Sequence, residues 1–386
     1  MKINSAFDAL PKSYVFARLA EKVAAAKKTF CGRIIDLGVG DVKLPLPEIF
    51  VREMKLAADE MQNAETFRGY PPTGGYPFLR EAIANKYLED GANISPDEIF
   101  VSDGAKSELG NVAELFERGI KVLFAAPCYP AGAEANVILG NDVEFLHATS
   151  EDGFIPAPPY GKTYDLIYLC SPNNPTGATF SYRELKAWVD YALSANAVIV
   201  YDGAYSSYVS GDKPKTVYAV PYADRCAIEI RSFSKSLGFT GIRVGFTVVP
   251  KNLGRLNALW KRRLGARFNG VSYISQRGAA AAFTPLGKKE TEKRVNFYKT
   301  NASILKIAFQ NRKIWYNNTC CSPYVYARCP DGMTSEEFSD LVLTKAGICC
   351  TPSSGFAGKE NFVRFSAFAL REDVTEAADR IEKLIF

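Results

Sequence analysis

The chain has 386 residues, 47% of them hydrophobic and 23% charged, a composition typical of a globular enzyme large enough for two domains. Its net charge of +5 is spread along the chain, which argues against a nucleic-acid or membrane surface as partner. We therefore expect small-molecule partners.

Short apolar runs alternate with amphipathic segments between residues 98 and 250. Their length and their content of Val, Ile, Phe and Tyr predict strands buried on both faces, at 98–102, 121–126, 142–147, 165–170, 197–202, 226–231 and 244–249. Segment 181–195 has a helical apolar stripe, with Ser181 as N-cap and Glu184 at the capping-box position. This alternation predicts an α/β fold in which helices flank a mostly parallel, seven-stranded sheet.

The pattern changes after residue 270. A long polar helix is predicted at 288–311, followed by a strand at 324–328, a helix at 335–346, a strand at 361–366 and a closing helix from Glu372. Residues 1–45 have no core pattern of their own, so we expect them to pack against these elements. The predicted organisation is a large domain at 46–274 and a small α+β domain made of 1–45 with 275–386.

Histidine and cysteine usage narrows the chemistry further. His147 is the only histidine, which excludes Ser-His-Asp triads, Cys-His dyads and imidazole-rich metal sites, so we expect no metal. The nine cysteines contain no C-x-x-C pair, and the first 30 residues are polar and amphipathic. Both features favour a cytoplasmic protein with reduced thiols.

Polar motifs follow four of the predicted strands. They are Asp103-Gly104-Ala105-Lys106, Ser171-Pro172-Asn173-Asn174-Pro175-Thr176-Gly177, Asp202-Gly203-Ala204-Tyr205 and Ser232-Phe233-Ser234-Lys235. Ligands bind beyond the carboxyl ends of strands in such sheets, so these four loops are expected to form one crevice.

The crevice would combine an amine, a carboxylate, hydroxyls and, at Arg243, a guanidinium. A phosphorylated aldehyde cofactor needs this set: an amine to form an imine, a carboxylate for its ring nitrogen, and donors for its phenolate and phosphate. Taken singly, Lys235 could be a surface lysine and Asp202 a helix cap. Ser232 and Lys235 also satisfy the S-x-x-K motif of penicillin-recognising serine enzymes, but no K-T-G companion is present.

Together these motifs, with Arg243 and Arg364, resemble the fold-type I pyridoxal-phosphate aminotransferases along almost the whole chain, including their aspartate-aminotransferase-like fold. The resemblance implies that Lys235 bonds to pyridoxal 5'-phosphate and moves a proton between the substrate Cα and the cofactor. It also implies that Asp202 pairs with the ring nitrogen and that Arg364 grips the substrate α-carboxylate. The other implied cofactor contacts are Asn174 and Tyr205 on the phenolate oxygen, Tyr129 on the ring, and Ala105, Lys106, Ser232, Ser234 and Arg243 on the phosphate.

The resemblance further implies a homodimer with shared active sites. Tyr70 of the partner subunit would reach the phosphate, and Gly38 would line the substrate side. The reaction implied is transfer of an amino group between an amino acid and 2-oxoglutarate.

Finer similarity points to the LL-diaminopimelate aminotransferase branch, which acts in lysine biosynthesis. It is carried by Ser13-Tyr14-Val15-Phe16-Ala17, Ser102-Asp103-Gly104-Ala105-Lys106 and Arg267-Phe268-Asn269-Gly270. Tyr14 and Asn269 of the partner subunit would then select the far end of the substrate. The branch has an acidic residue where this chain has Thr73. The alternatives are an aminotransferase for an aromatic or apolar amino acid, or a pyridoxal-phosphate-dependent lyase.

Overall fold

The computed structural model describes residues 1–319 and 321–385 of the chain. Its helices are α1 (Val15–Ala26), α2 (Glu48–Glu60), α3 (Pro77–Glu89), α4 (Ala105–Asn111), α5 (Pro130–Ile138), α6 (Tyr182–Ala195), α7 (Leu256–Arg267), α8 (Tyr273–Ala280), α9 (Pro285–Asn311), α10 (Ser335–Ala346) and α11 (Arg371–Lys383). Its strands are β1 (Ile35–Asp36), β2 (Ile99–Ser102), β3 (Lys121–Ala126), β4 (Asp142–His147), β5 (Leu166–Cys170), β6 (Val198–Asp202), β7 (Ala227–Ser232), β8 (Gly245–Val248), β9 (Tyr324–Arg328), β10 (Ile348–Cys349), β11 (Thr351–Pro352) and β12 (Phe362–Ser366).

A seven-stranded sheet forms the centre of the molecule, in the order β2-β8-β7-β6-β5-β3-β4. The strands from β3 to β7 run parallel, whereas β8 is antiparallel to both β7 and β2. Between Ser232 and Gly245 the chain forms only turns, so there is no crossover helix that could make β8 parallel to β7. The predicted α/β fold with a mostly parallel sheet is confirmed.

The prediction that every strand is buried on both faces is wrong for β4. This strand lies at the edge of the sheet, where β3 is its one partner among the described strands. Asp142 and Glu144 are exposed, while Val143 and Phe145 are half-buried. An edge strand is open to water on one side. Exposed polar residues therefore alternate with half-buried apolar residues, and the strand is not a continuous buried run.

Helix α6 begins as the sequence predicts. The Ser181 hydroxyl accepts a hydrogen bond from the Glu184 amide at 3.3 Å, and the Glu184 carboxylate accepts one from the Ser181 amide at 2.6 Å. This reciprocal capping satisfies two otherwise unpaired helix donors and contributes about 1 kcal/mol. The buried face of α6, which includes Leu185 and Trp188, packs against the sheet.

The two ends of the chain pack together. Strand β1 pairs with β10 in parallel, and β11, β12 and β9 form a separate antiparallel sheet. Ile35 and Leu37 share an apolar cluster with Val325 and Phe365. Part of the segment before residue 45 therefore packs with elements from the other end of the chain. The division into domains at 46–274 and at 1–45 with 275–386 stays a prediction.

Two further features concern the described residues as a whole. None of the described helices is long and apolar enough to cross a bilayer. The free thiols among the described residues include Cys31, Cys128, Cys170, Cys226, Cys329, Cys349 and Cys350, and Cys320 lies outside the described residues.

Candidate active site

A cavity of about 400 Å³ opens beyond the carboxyl ends of the parallel strands. The structure brings together in its wall most of the residues that the sequence singled out. They are Tyr14, Ala105, Lys106, Tyr129, Asn174, Asp202, Tyr205, Ser232, Ser234, Lys235, Arg243 and Arg364. Residues separated by up to 350 positions in the chain thus face one space.

Lys235 lies in the turn that follows β7, and its Nζ donates a hydrogen bond to the Gly40 carbonyl. Burial, together with the nearby Arg364 guanidinium, lowers the pKa of its ammonium to about 8, while Asp41 opposes the shift. A lysine with this pKa has an appreciable neutral, nucleophilic fraction at neutral pH.

Asp202 is the last residue of β6 and is 8% exposed. Burial raises the pKa of its carboxyl to about 6, and a hydrogen bond from the Ala204 amide at 3.0 Å opposes the rise. Above pH 6 the group is mainly ionised, so it can pair with a cationic ring nitrogen.

Ser232, Ser234 and Arg243 converge at one end of the cavity. The Arg243 Nη1 donates to Ser234 Oγ at 3.4 Å, and Arg243 itself has a φ of 66°. Gly104, just before α4, has a φ of 124°, and a Cβ there would lie 2.6 Å from Arg243 Nη2. Glycine is therefore required for the guanidinium to approach the start of α4.

Arg364 is a buried cation whose hydrogen-bond partners in the described part of the chain are all neutral. It is 1% exposed, and it donates to the Asn174 side chain at 2.7 Å, to the Gly38 carbonyl and to Thr351 Oγ1 at 3.5 Å. Its Nε is buried without a partner among the described residues. A buried, uncompensated charge is costly, so this site favours an anionic ligand.

The structure adds residues that the sequence reasoning missed. Tyr324, Phe16, Asp41 and Thr240 also line the cavity. Tyr324 exchanges a hydrogen bond of 2.8 Å with the Tyr205 hydroxyl and stacks 4.5 Å from the Arg364 guanidinium. No local signal marks Tyr324, because it begins an ordinary apolar strand.

Aromatic side chains from distant segments also line the cavity. Tyr14 donates to the Tyr129 hydroxyl at 3.1 Å, and the Lys106 ammonium lies 4.5 Å from the centre of the Tyr14 ring. The Lys106 side chain is therefore directed to this aromatic wall, while its backbone lies at the start of α4.

Three predicted residues do not line this cavity. Gly38 is linked to it through Arg364, which donates a hydrogen bond to the Gly38 carbonyl. Tyr70 is 86% exposed and Asn269 is also exposed, and neither lines the cavity within one chain. Their predicted roles belong to a partner subunit and stay predictions.

The fold and the residues around the cavity are those of an aminotransferase, and comparison with known proteins gives the same class of enzyme. The family model for aminotransferase class I and II matches residues 32–381, so the chain belongs to this family and is a transaminase.

Comparison with individual relatives points to one branch of this family. The chain is 43% identical over 405 residues to LL-diaminopimelate aminotransferase from Bacteroides fragilis, which covers 98% of each chain. It superimposes on L,L-diaminopimelate aminotransferase from Chlamydomonas reinhardtii with a TM-score of 0.94 and 36% identity, covering 99% of this chain and 98% of the other. Aspartate aminotransferase from Thermus thermophilus shares the fold, with a TM-score of 0.88 at 22% identity and full coverage of both. The predicted resemblance to the LL-diaminopimelate branch is confirmed.

Proposed function

We propose that this transaminase uses pyridoxal 5'-phosphate to move an amino group between LL-diaminopimelate and 2-oxoglutarate in lysine biosynthesis. The observation that carries the proposal is one cavity in which Lys235, Asp202 and Arg364 face the same space. When bound, the cofactor would supply an electrophilic aldehyde and a ring that withdraws electrons from the substrate Cα.

The donors at one end of the cavity fit a phosphate group. Two hydroxyls (Ser232 and Ser234) and the Arg243 guanidinium lie beside the backbone amides that begin α4. Arginine and a helix start are both suited to phosphate oxygens. The glycine at 104 leaves room for this close approach.

The remaining contacts would fit the ring of the same cofactor. Asp202 would hold a proton on the ring nitrogen, because its carboxyl is ionised above pH 6 and has little water around it. Tyr129 would lie against the ring face, and Asn174 and Tyr205 would donate to the phenolate oxygen. All of them line the cavity.

Lys235 would act as both nucleophile and base. Its lowered pKa makes the neutral amine available for bonding to an aldehyde and for taking a proton from the substrate Cα. The Gly40 carbonyl holds the ammonium at the cavity wall.

Arg364 would bind the substrate α-carboxylate. Its buried Nε lacks a partner among the described residues, and its other nitrogens contact only neutral oxygens. A carboxylate would supply the missing charge and could bind the guanidinium through two hydrogen bonds.

LL-diaminopimelate carries a second carboxylate and a second ammonium. Lys106, beside Tyr14, is a cation at the aromatic side of the cavity that suits the second carboxylate. The relatives named above support this substrate. Thr73 cannot balance the second ammonium, which favours an aromatic or apolar donor as the alternative substrate.

We also propose a homodimer with shared sites. Tyr70 is 86% exposed on a single chain, so its side chain is accessible to a partner subunit. In the dimer, Tyr70 and Asn269 of the partner subunit would complete the phosphate and substrate ends.

The experiment is a half-reaction followed by absorbance. Protein loaded with pyridoxal 5'-phosphate should lose its visible band when LL-diaminopimelate is added alone and regain it with 2-oxoglutarate. Failure to bind the cofactor, or a Lys235→Ala variant with the same band and turnover, contradicts the cofactor proposal. Turnover of another amino donor without LL-diaminopimelate contradicts only the substrate. Product release without loss of the band indicates a lyase.

A further inference from the structure

A buried ion pair lies on β7, just before Ser232, which lines the cavity. The side chains of Glu229 and Arg231 are 0% and 12% exposed, and the Arg231 Nε donates to the Glu229 carboxylate. Glu229 also accepts from the Thr216 hydroxyl and from the Val217 amide at 3.2 Å. Desolvation offsets most of the attraction in such a pair, so stability alone is a weak explanation for it.

Arg231 uses its other nitrogens to join two segments of the chain. Its Nη1 donates to the Ser206 hydroxyl, and its Nη2 donates to the Lys215 carbonyl at 2.5 Å. A guanidinium is planar and its donors point in fixed directions, so three such bonds define a distance between the groups they reach.

The segment held in this way carries the ring-nitrogen end of the proposed cofactor site. Ser206 follows Tyr205, and Gly203 follows Asp202. The Gly203 amide donates to the Ile230 carbonyl at 2.9 Å, and a Cβ on Gly203 would lie 2.9 Å from Arg231 Nε. The loop after β6 thus rests directly on the guanidinium.

The phosphate end begins at the next residue of β7. Ser232 follows Arg231 and lines the cavity, and its hydroxyl accepts from the Ser234 amide at 3.1 Å. The Arg231 side chain therefore contacts the loop that follows Asp202, and Ser232 is the next residue along the backbone.

We propose that Arg231 is a positioning residue that sets the distance between Asp202 and Ser232. The inference rests on the proposed cofactor, because that ligand would bind both groups at once. Arg231 acts only through these neighbours and does not touch the ligand. A ligand that spans both ends depends on their spacing, whereas a fragment that occupies one end does not.

The test compares a spanning ligand with its fragments on cofactor-free protein. In Arg231→Met we expect the Kd for pyridoxal 5'-phosphate to rise about 10-fold or more, since each end stays formed but the spacing between the two ends is no longer held. The Kd values for pyridoxal and for inorganic phosphate should stay within about two-fold. Arg231→Lys, which keeps the charge but not the three bonds, should recover only part of the affinity.

A second variant separates positioning from folding. Glu229→Gln with Arg231→Met removes both buried charges, so its melting temperature should return towards that of the wild type while the loss of cofactor affinity remains. Arg380→Met is the matched control, because Arg380 also joins a carboxylate, Glu376, to two backbone carbonyls, far from the cavity.

Three results would overturn the inference: an unchanged Kd for pyridoxal 5'-phosphate, an equal loss for all three ligands, or full recovery of affinity in the double variant. Wild-type protein that binds no pyridoxal 5'-phosphate would instead refute the proposed function itself. The two failures are therefore distinguishable.

Discussion

Replacing Arg364 by lysine tests how the substrate carboxylate is held. Arg364 is 1% exposed, and its guanidinium lies 4.5 Å from the Tyr324 ring and 4.8 Å from the Phe356 ring, so water cannot replace a lost contact. Lysine would keep the positive charge in this aromatic cage. It cannot offer two parallel donors to a carboxylate while also bonding to Asn174 and Gly38.

The expected fall in kcat/KM follows from the hydrogen bond that the substitution removes. Arg364→Lys removes one charge-assisted hydrogen bond to the substrate, worth about 1.5–3 kcal/mol. Since about 1.4 kcal/mol is a factor of ten, kcat/KM should fall roughly 10- to 150-fold. The fall should apply to both the amino donor and the 2-oxo acid, because each carries the same carboxylate.

The assay measures kcat/KM for an amino acid and for the amine made by its decarboxylation. The amine has no carboxylate, so its low rate should be nearly the same in wild type and Arg364→Lys. Arg380→Lys serves as a control for a charge-conserving change elsewhere. The reasoning is refuted if the amino acid loses less than about 3-fold, or if the amine loses as much as the amino acid.

Three further predictions concern Lys235, Thr73 and Tyr70. Burial lowers the pKa of Lys235 from 10.5 to about 8, so its charge destabilises the folded, cofactor-free protein fully below pH 8 and progressively less up to pH 10.5. Lys235→Met should therefore melt higher than wild type at pH 7, and a difference that does not shrink towards pH 10.5 would contradict this. Thr73→Glu should raise kcat/KM for LL-diaminopimelate relative to a donor without the second ammonium, with Thr73→Gln as the uncharged control; an unchanged ratio places Thr73 away from the substrate. Tyr70→Phe and Lys235→Ala should each lower activity, yet a mixture refolded together should regain part of it because a mixed dimer holds one intact site; no gain argues against shared sites.

Much of the site could be predicted because it follows local rules. Strand lengths and turn residues placed Asp202, Ser232 and Lys235 at strand ends, and parallel strands bring such ends to one edge. The capping pair of Ser181 and Glu184 also needed only neighbouring residues.

Other features depend on contacts between distant segments. The antiparallel direction of β8, the exposed edge at β4 and the bond between Tyr205 and Tyr324 follow from which elements become neighbours. Burial sets the lowered pKa of Lys235, and the sequence does not show burial.

The sequence by itself thus determined the elements, the chemistry of the strand-end loops and the family they resemble, because periodicity and turn chemistry act within a few residues. Only the tertiary structure decided that Arg364 meets Asn174 across 190 residues and that Arg231 joins two strand ends. Side-chain distances across the chain depend on how all the elements pack, and no short pattern encodes that packing.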